Sequence, residues 1–378
     1  MQEYVSAHLR NVAVIGHGRS GKTSLLDACL FNAGAVKRLG STANGSSFLD
    51  VEPEELRRGF SISSKLVAIE WHGCKLNFID TPGYPDFISE VKGALTAADC
   101  ALIVISAPSG IEIETEKGWR LAEEMGLPRA FFVNKMDREH ADFQQVVDEL
   151  RVRFGKGVVP VQLPIGAEAS FQGVADLLTM NLKFMSHEDE TIVTGIPEYM
   201  EETVETARQA LIEALADFND TLLEKFLGGE AIAQEEIGQA LSDGIAAGKV
   251  FPVFCGSASQ NIGIRKLMNG IISYLPAPGI SPAVGTEPGK EDSLIERTLD
   301  GPFSAQVFKT IVDPFVGRLT FLRLRSGELC NDDSVYNASR GALERLGGLF
   351  TMQGNQQIKV TKAFAGDIVG LPDTGNFK

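Results

Sequence analysis

Gly16-His17-Gly18-Arg19-Ser20-Gly21-Lys22-Thr23 decides how this chain is read. Before it, Val12, Ala13, Val14 and Ile15 have the unbroken apolar character of a buried strand, and after it Ser24 to Phe31 has helix-forming composition. The glycines therefore fall at a strand-to-helix turn, where backbone N–H groups and the positive end of a helix dipole face one point. Such a turn suits a polyphosphate. His17, Gly18, Arg19, Ser20, Gly21 and Ser24 would line it, Lys22 would reach the β- and γ-phosphates, and the Thr23 hydroxyl would ligate Mg²⁺. A glycine-rich turn that merely carries Lys-Thr is the plainer alternative.

Three later stretches bear on that choice. Asp80-Thr81-Pro82-Gly83 follows a predicted strand, a place where Asp80 can hold Mg²⁺ through water and the Gly83 N–H can sense the γ-phosphate. By itself the same tetrapeptide is a good turn. Asn134-Lys135-Met136-Asp137 also follows an apolar run. A carboxylate at Asp137 can accept from both N1 and N2 of guanine, a donor pair that adenine lacks, while Asn134 bonds the purine edge and Lys135 lies along it. Gly256-Ser257-Ala258 can offer backbone N–H groups, those of Ser257 and Ala258, to the guanine O6. Taken in this order, the four stretches make GTP or GDP with Mg²⁺ the ligand.

The rest of the chain supplies a frame for them. Ser63 to Trp71 alternates like a strand, His72-Gly73 turns it, and Lys75 to Ile79 is its antiparallel partner. Cys100 to Ile105, Ala130 to Val133 and Val250 to Cys255 are apolar runs, separated by helical stretches at Glu112 to Met125 and Ala141 to Phe154. The fold class is therefore α/β, a doubly wound and mostly parallel sheet. Gly34 to Phe60 is small, polar and aperiodic, and reads as a mobile loop.

Between Asp137 and Ser257 lie 119 residues, where one helix-plus-strand step needs about 30. Residues 158–250 are read as an inserted acidic α/β unit. It has short strands near Leu163 to Ile165 and Leu182 to Met185, and helical spacing over Pro197 to Leu227 and Glu235 to Ala247. This stretch holds 17 Asp and Glu against 4 Lys and Arg, most of the net charge of −15. Ile262 to Leu275 reads as the closing helix of a domain spanning 1–280. Residues 281–301 have linker composition, and 302–378 contain short alternating segments, as in an all-β barrel that ends abruptly.

The acidic balance argues against phosphate-led nucleic-acid binding as the main activity. Five scattered cysteines without a CxxC pair argue against a zinc site and a disulfide framework, and the absence of a long apolar run argues against a membrane partner. A cytoplasmic protein is the expectation, with nothing to indicate more than a monomer.

The order of the motifs, the insert and the barrel resembles the translational GTPases, elongation factor G in particular. Val161 to Glu168 and Ala247 to Val253 are similar to that family's insert boundaries, and the likeness covers essentially the whole chain. It implies a GTPase, with Arg58-Gly59-Phe60-Ser61-Ile62 as the first switch and Ser61 in place of the usual Mg²⁺-ligating threonine. Tyr84 stands where the family has a water-positioning histidine, so that Tyr84, Gly83 and Lys22 are the candidate catalytic set and intrinsic hydrolysis should be slow. Arg19 replaces an aspartate, and its guanidinium could stand in for a monovalent cation. Together these departures suggest a paralogous branch.

The resemblance also implies a ribosomal partner. The acidic insert would meet the ribosomal stalk protein, and the barrel, through the stretch holding Arg318 and Gly327, would meet ribosomal RNA. The family has further domains beyond this stretch, so the chain as given should bind nucleotide without by itself catalysing translocation. A nucleotide-gated regulator with little hydrolysis and a ribosomal protection protein are the alternatives.

Overall fold

Leu9–Ile15 (β1) is buried along almost its whole length, as a central parallel strand must be when helices cover both faces. The computed structural model describes residues 2–50, 52–185, 190–194, 196, 198–279, 283–287, 290–313, 317–354 and 356–372. After β1 come helices Lys22–Asn32 (α1) and Pro53–Arg58 (α2), strands Lys65–Trp71 (β2) and Cys74–Asp80 (β3), and helix Ile88–Ala97 (α3). Cys100–Ser106 (β4), helix Ile113–Glu124 (α4), Arg129–Asn134 (β5), helix Phe143–Phe154 (α5) and Val158–Pro160 (β6) follow. Phe251–Cys255 (β7) and helix Ile264–Tyr274 (α6) complete the unit.

The seven strands run in the order β2-β3-β1-β4-β5-β7-β6. Every neighbouring pair is parallel except the β2–β3 hairpin. Alternate residues of β1 face opposite layers. Val12 and Val14 pack with α1 and α6, whereas Ala13 and Ile15 pack with α3, α4 and α5. The expected doubly wound α/β unit is thus present.

Four local expectations are corrected. Val158 to Pro160, read as the start of the insert, is the edge strand of the central sheet, with Val158 opposite Phe251. The insert's own sheet has four antiparallel strands, Gln162–Ile165, Gly173–Asp176, Asn181–Met185 and Glu190–Thr194, two of which lacked a readable pattern. The long helix splits into Glu198–Ala216 and Asp220–Gly228, because the Asn219 side chain accepts the Leu222 N–H at 3.0 Å and starts a second helix; Pro197 lies outside the described residues. Within the predicted linker, Ala283–Glu287 and Lys290–Arg297 pair as an antiparallel hairpin, while residues 280–282 and 288–289 lie outside the described residues.

The predicted loop over 34–60 also contains α2, with Pro53 in its first turn and Gly59 closing it at φ 70°. Beyond residue 302 the elements among the described residues are all strands. Its largest sheet orders strands Ser304–Asp313, Gly317–Ser326, Ile368–Pro372, Leu349–Gln353 and Gln356–Val360, all antiparallel. The last described strand is therefore the middle one. Residues 373–378 of the expected barrel lie outside the described residues.

This β unit is fastened to the central sheet by buried polar groups. Lys75 Nζ lies 2.8 and 2.9 Å from the two carboxylate oxygens of Asp367, and Asn77 Nδ2 donates to Asp367 Oδ1 at 3.0 Å. Asn11 Nδ2 donates to the Gly366 carbonyl at 2.8 Å, and Arg323 Nη2 pairs with Asp99 at 2.7 Å. Nearer the loops, Lys309 Nζ reaches Glu90 at 2.6 Å and Ser64 Oγ at 3.0 Å. Among the described residues no helix is long and apolar enough to cross a membrane.

Candidate functional site

Because β1, β3, β5 and β7 run parallel, their carboxyl ends open onto one edge of the sheet. β1 sits between β3 and β4: the chain leaves it towards β3 and then crosses over to β4 on its other side, which makes a crevice at that edge. Gly21 turns the chain into α1 at φ 97°, and a side chain there would meet Asn134 Nδ2 at 2.3 Å. Only glycine fits. Lys22 is buried, and its ammonium donates to the carbonyls of Gly16 at 2.9 Å and His17 at 2.7 Å. Burial lowers its pKa to about 8. Gly83 closes on the same point, since a Cβ on it would lie 2.5 Å from Lys22 Nζ and 2.6 Å from the Gly18 nitrogen. The loops at 16–22 and 80–83 are therefore brought together as the motif order predicts.

At one end of the crevice are three oxygen donors. Thr23 Oγ1 donates to Asp80 Oδ2 at 2.8 Å and lies 3.1 Å from Ser61 Oγ. Asp80 Oδ1 is buried with no partner among the described residues. Burial pushes the Asp80 pKa up to about 7, against the pull of Lys65 and Lys22. Two hydroxyls and an under-bonded carboxylate are hard oxygen ligands, and such a set fits Mg²⁺.

Sequence reasoning missed the groups that hold Ser61 there. Its hydroxyl donates to Asp50 Oδ1 at 3.0 Å, and Lys65 Nζ bonds Asp50 Oδ1 at 2.8 Å and Glu55 Oε2 at 2.5 Å. No motif marks these residues. The one available signal is a lysine opening a strand whose next four residues, Leu66 to Ile69, are apolar. Ser24, expected against phosphate, has its hydroxyl 3.3 Å from Thr42 Oγ1.

The other end is built by β5 and β7. Asn134 works as a strut: Nδ2 donates to the Ser20 carbonyl at 3.0 Å, and Oδ1 accepts the Ala258 N–H at 3.0 Å. The Ser257 N–H donates to the Ile262 carbonyl at 2.9 Å. The two N–H groups expected to be free for a base are therefore engaged, and a guanine O6 would share the Ala258 N–H with Asn134. Lys135 holds φ 64°, and its ammonium reaches across to the Arg19 carbonyl at 2.7 Å. Asp137 Oδ2 accepts from Ser259 at 3.4 Å, while Asp137 Oδ1 is buried and has no partner among the described residues.

Between the ends stand the unusual residues. The Tyr84 ring lies 4.4 Å from the Phe60 ring, centroid to centroid, and a Cβ on Gly18 would touch it at 3.0 Å. Tyr84 thus bridges the 16–22 loop and the 58–62 segment. Arg19 is exposed at φ 61°, with no partner for its guanidinium among the described residues. His17 is buried, with Nδ1 3.1 Å from Thr115 Oγ1.

Two family descriptions match this chain. The elongation factor Tu GTP binding domain matches residues 7–277, and elongation factor G domain 2 matches residues 302–378. A crystal structure of a protein from Thermus thermophilus is similar at 32% identity, with a TM-score of 0.86 over 98% of this chain. The chain spans 53% of that protein.

Proposed function

The chain belongs to the family of the elongation factor Tu GTP-binding domain, with a second domain of the elongation factor G type, and we propose that it binds and hydrolyses GTP as a ribosome-associated factor. The observation that carries this reading is a pair of buried carboxylate oxygens without partners among the described residues, Asp80 Oδ1 at the end of β3 and Asp137 Oδ1 just after β5. Leaving a buried polar atom unpaired costs about 1–3 kcal/mol, so two of them on loops at the same edge of the sheet argue for a ligand that supplies both partners. Asp137 suits the two donors of guanine. Lys22, the N–H groups of residues 17–24 and that of Gly83 suit the phosphates.

Mg²⁺ would be held by Thr23, Ser61 and, through water, Asp80, and when bound it would neutralise charge on the phosphate oxygens. Tyr84 would orient the attacking water. A phenol is neutral at physiological pH and stabilises developing charge less than an imidazolium does. Intrinsic turnover should accordingly be slow. Single-turnover hydrolysis of wild type and Tyr84→His, with and without ribosomes, tests this. The expected result is an increase of at least ~10-fold in the variant, and equal, fast rates in both would refute it.

The reading extends to partners. The acidic insert, with Glu198, Glu201, Glu202 and Glu205 along one exposed helix, suits a basic surface such as the ribosomal stalk protein, and the β unit suits ribosomal RNA. It includes a cytoplasmic monomer. A second reading, a nucleotide-gated regulator with little hydrolysis, is favoured by the Tyr84–Phe60 contact, which joins the two switch regions through their own side chains. Phosphate release on ribosomes separates the two: many turnovers per protein for the enzyme, one for the regulator.

A further inference from the structure

Lys65 opens β2 directly opposite Asp80 in the hairpin register, so its backbone is fixed by the sheet beside the metal-binding end of the crevice. Its side chain does not point to solvent. It is 15% exposed and runs to two carboxylates from the preceding segment, Asp50 at 2.8 Å and Glu55 at 2.5 Å, which are 9% and 0% exposed. The second oxygen of Glu55 accepts the Ile62 N–H at 2.9 Å, and Asp50 accepts the Ser61 hydroxyl at 3.0 Å. Through these two carboxylates one ammonium therefore ties Ser61 and its neighbour Ile62 to the sheet.

We propose that Lys65 is a positioning residue for the divalent-cation site: gripped by Asp50 and Glu55, its ammonium docks Asp50 and the stretch 53–62 so that the Ser61 hydroxyl lies beside Thr23. The inference rests on the GTP and Mg²⁺ reading above. Its charge logic is independent of that reading. Without Lys65, Asp50 and Glu55 become two buried carboxylates left without their shared cation, with Asp50 also acting on Asp80, and Lys22 already bonds the carbonyls of Gly16 and His17. Like charges packed that closely repel, and the loop is the part free to move. Lys65 touches no expected ligand atom. It acts on the cation through Asp50 and Ser61, as groups one shell removed from a metal do.

The test uses the full chain and a fluorescent GTP analogue whose dissociation is followed across a Mg²⁺ titration. Lys65→Met is expected to raise the half-saturating Mg²⁺ concentration by ~10-fold or more. Affinity for fluorescent GDP in excess chelator should stay within about twofold, because the guanine end is untouched. Trypsin should also cut faster after the exposed Arg57 and Arg58 of α2. Lys65→Arg, which keeps the charge, should restore most of the Mg²⁺ dependence. Should Lys65→Met not fold, Glu55→Gln, which loosens the grip on the ammonium, should shift the titration in the same direction by less. A wild-type Mg²⁺ requirement and wild-type cleavage in Lys65→Met, or in Glu55→Gln if that is the variant measured, overturn the proposal. Wild-type protein whose analogue binding ignores Mg²⁺ would overturn the metal reading along with it.

Discussion

Strand β3 buries a charged group towards each end, and the two are finished differently. At its start, Lys75 bonds both oxygens of Asp367, and Asp367 Oδ1 accepts further from Asn77 at 3.0 Å and from the Ile368 N–H at 2.7 Å. The protein closes that pair with its own groups. At the other end, Asp80 has one oxygen bonded by Thr23 and the other buried with no partner among the described residues. The first arrangement is a joint between two domains, and the second is a socket. A closed pair offsets its own desolvation, whereas an open one leaves that cost standing until something else enters.

Lys75→Met should therefore be the most damaging change to the fold. It strands Asp367 as a buried unpaired charge, at a cost of about 3–5 kcal/mol, read from the urea midpoint. Lys75→Met combined with Asp367→Leu should recover most of that loss. Asp80→Asn should behave in the opposite way. Stability without nucleotide should change by less than ~1 kcal/mol, since an amide suits a poorly partnered site better than a carboxylate, while affinity for Mg²⁺-GTP should drop ~100-fold. Equal stability losses in Lys75→Met and Asp80→Asn would erase the distinction between joint and socket.

His17 belongs to the socket side and gives a pH signature. Its Nε2 lies 3.4 Å from Glu112 Oε1, yet burial, and then the charges of Lys22 and Lys135, push its pKa from 6.5 down to about 4. The contact is thus made by a neutral imidazole near pH 7. With the folded pKa depressed, the contribution to stability is full above about 6.5 and is lost as pH falls through about 4. The whole step is on the order of 3 kcal/mol, at 1.36 kcal/mol per unit. His17→Gln should flatten the stability profile between those limits, and an unchanged slope there would show that other groups account for it.

What the sequence displays is local. The four loop motifs were legible because each follows a strand within a few residues, and parallel strands bring such loops to one edge whatever lies between them. Asp50, Glu55 and Lys65 were not legible, because their roles arise from one ammonium meeting two distant carboxylates. Lys75 and Asp367 are 292 positions apart, so nothing in either neighbourhood announces the pair. The pairing of Ala283–Glu287 with Lys290–Arg297 was hidden by a composition of Pro, Gly and charge that usually marks linkers. The engaged N–H of Ala258 is not legible because a motif shows one role for Asn134, the base, whereas its amide also braces two loops.

The same two domains share another contact, nearer the loops, that should prove weaker than the joint. Lys309 Nζ meets Glu90 Oε2 at 2.6 Å, and the Ser64 N–H and hydroxyl both donate to that oxygen at 2.7 Å. Glu90 lies on α3, just after the 80–84 loop, and Ser64 just after the 58–62 segment, so this link touches both parts of the socket that a nucleotide would move. Its carboxylate side chain is 31% exposed, against 8% for Asp367. Water and salt can therefore substitute for Lys309, where nothing can substitute for Lys75. Lys309→Ala should lower stability by about 1 kcal/mol or less at low salt, with the difference from wild type shrinking at high salt, while the loss in Lys75→Met persists. Urea midpoints of both variants at the two ionic strengths decide it. A large, salt-independent loss in Lys309→Ala would mean that the contact beside the switches is as fixed as the joint at the far end of β3, and that nucleotide-driven movement of α3 must carry the second domain with it.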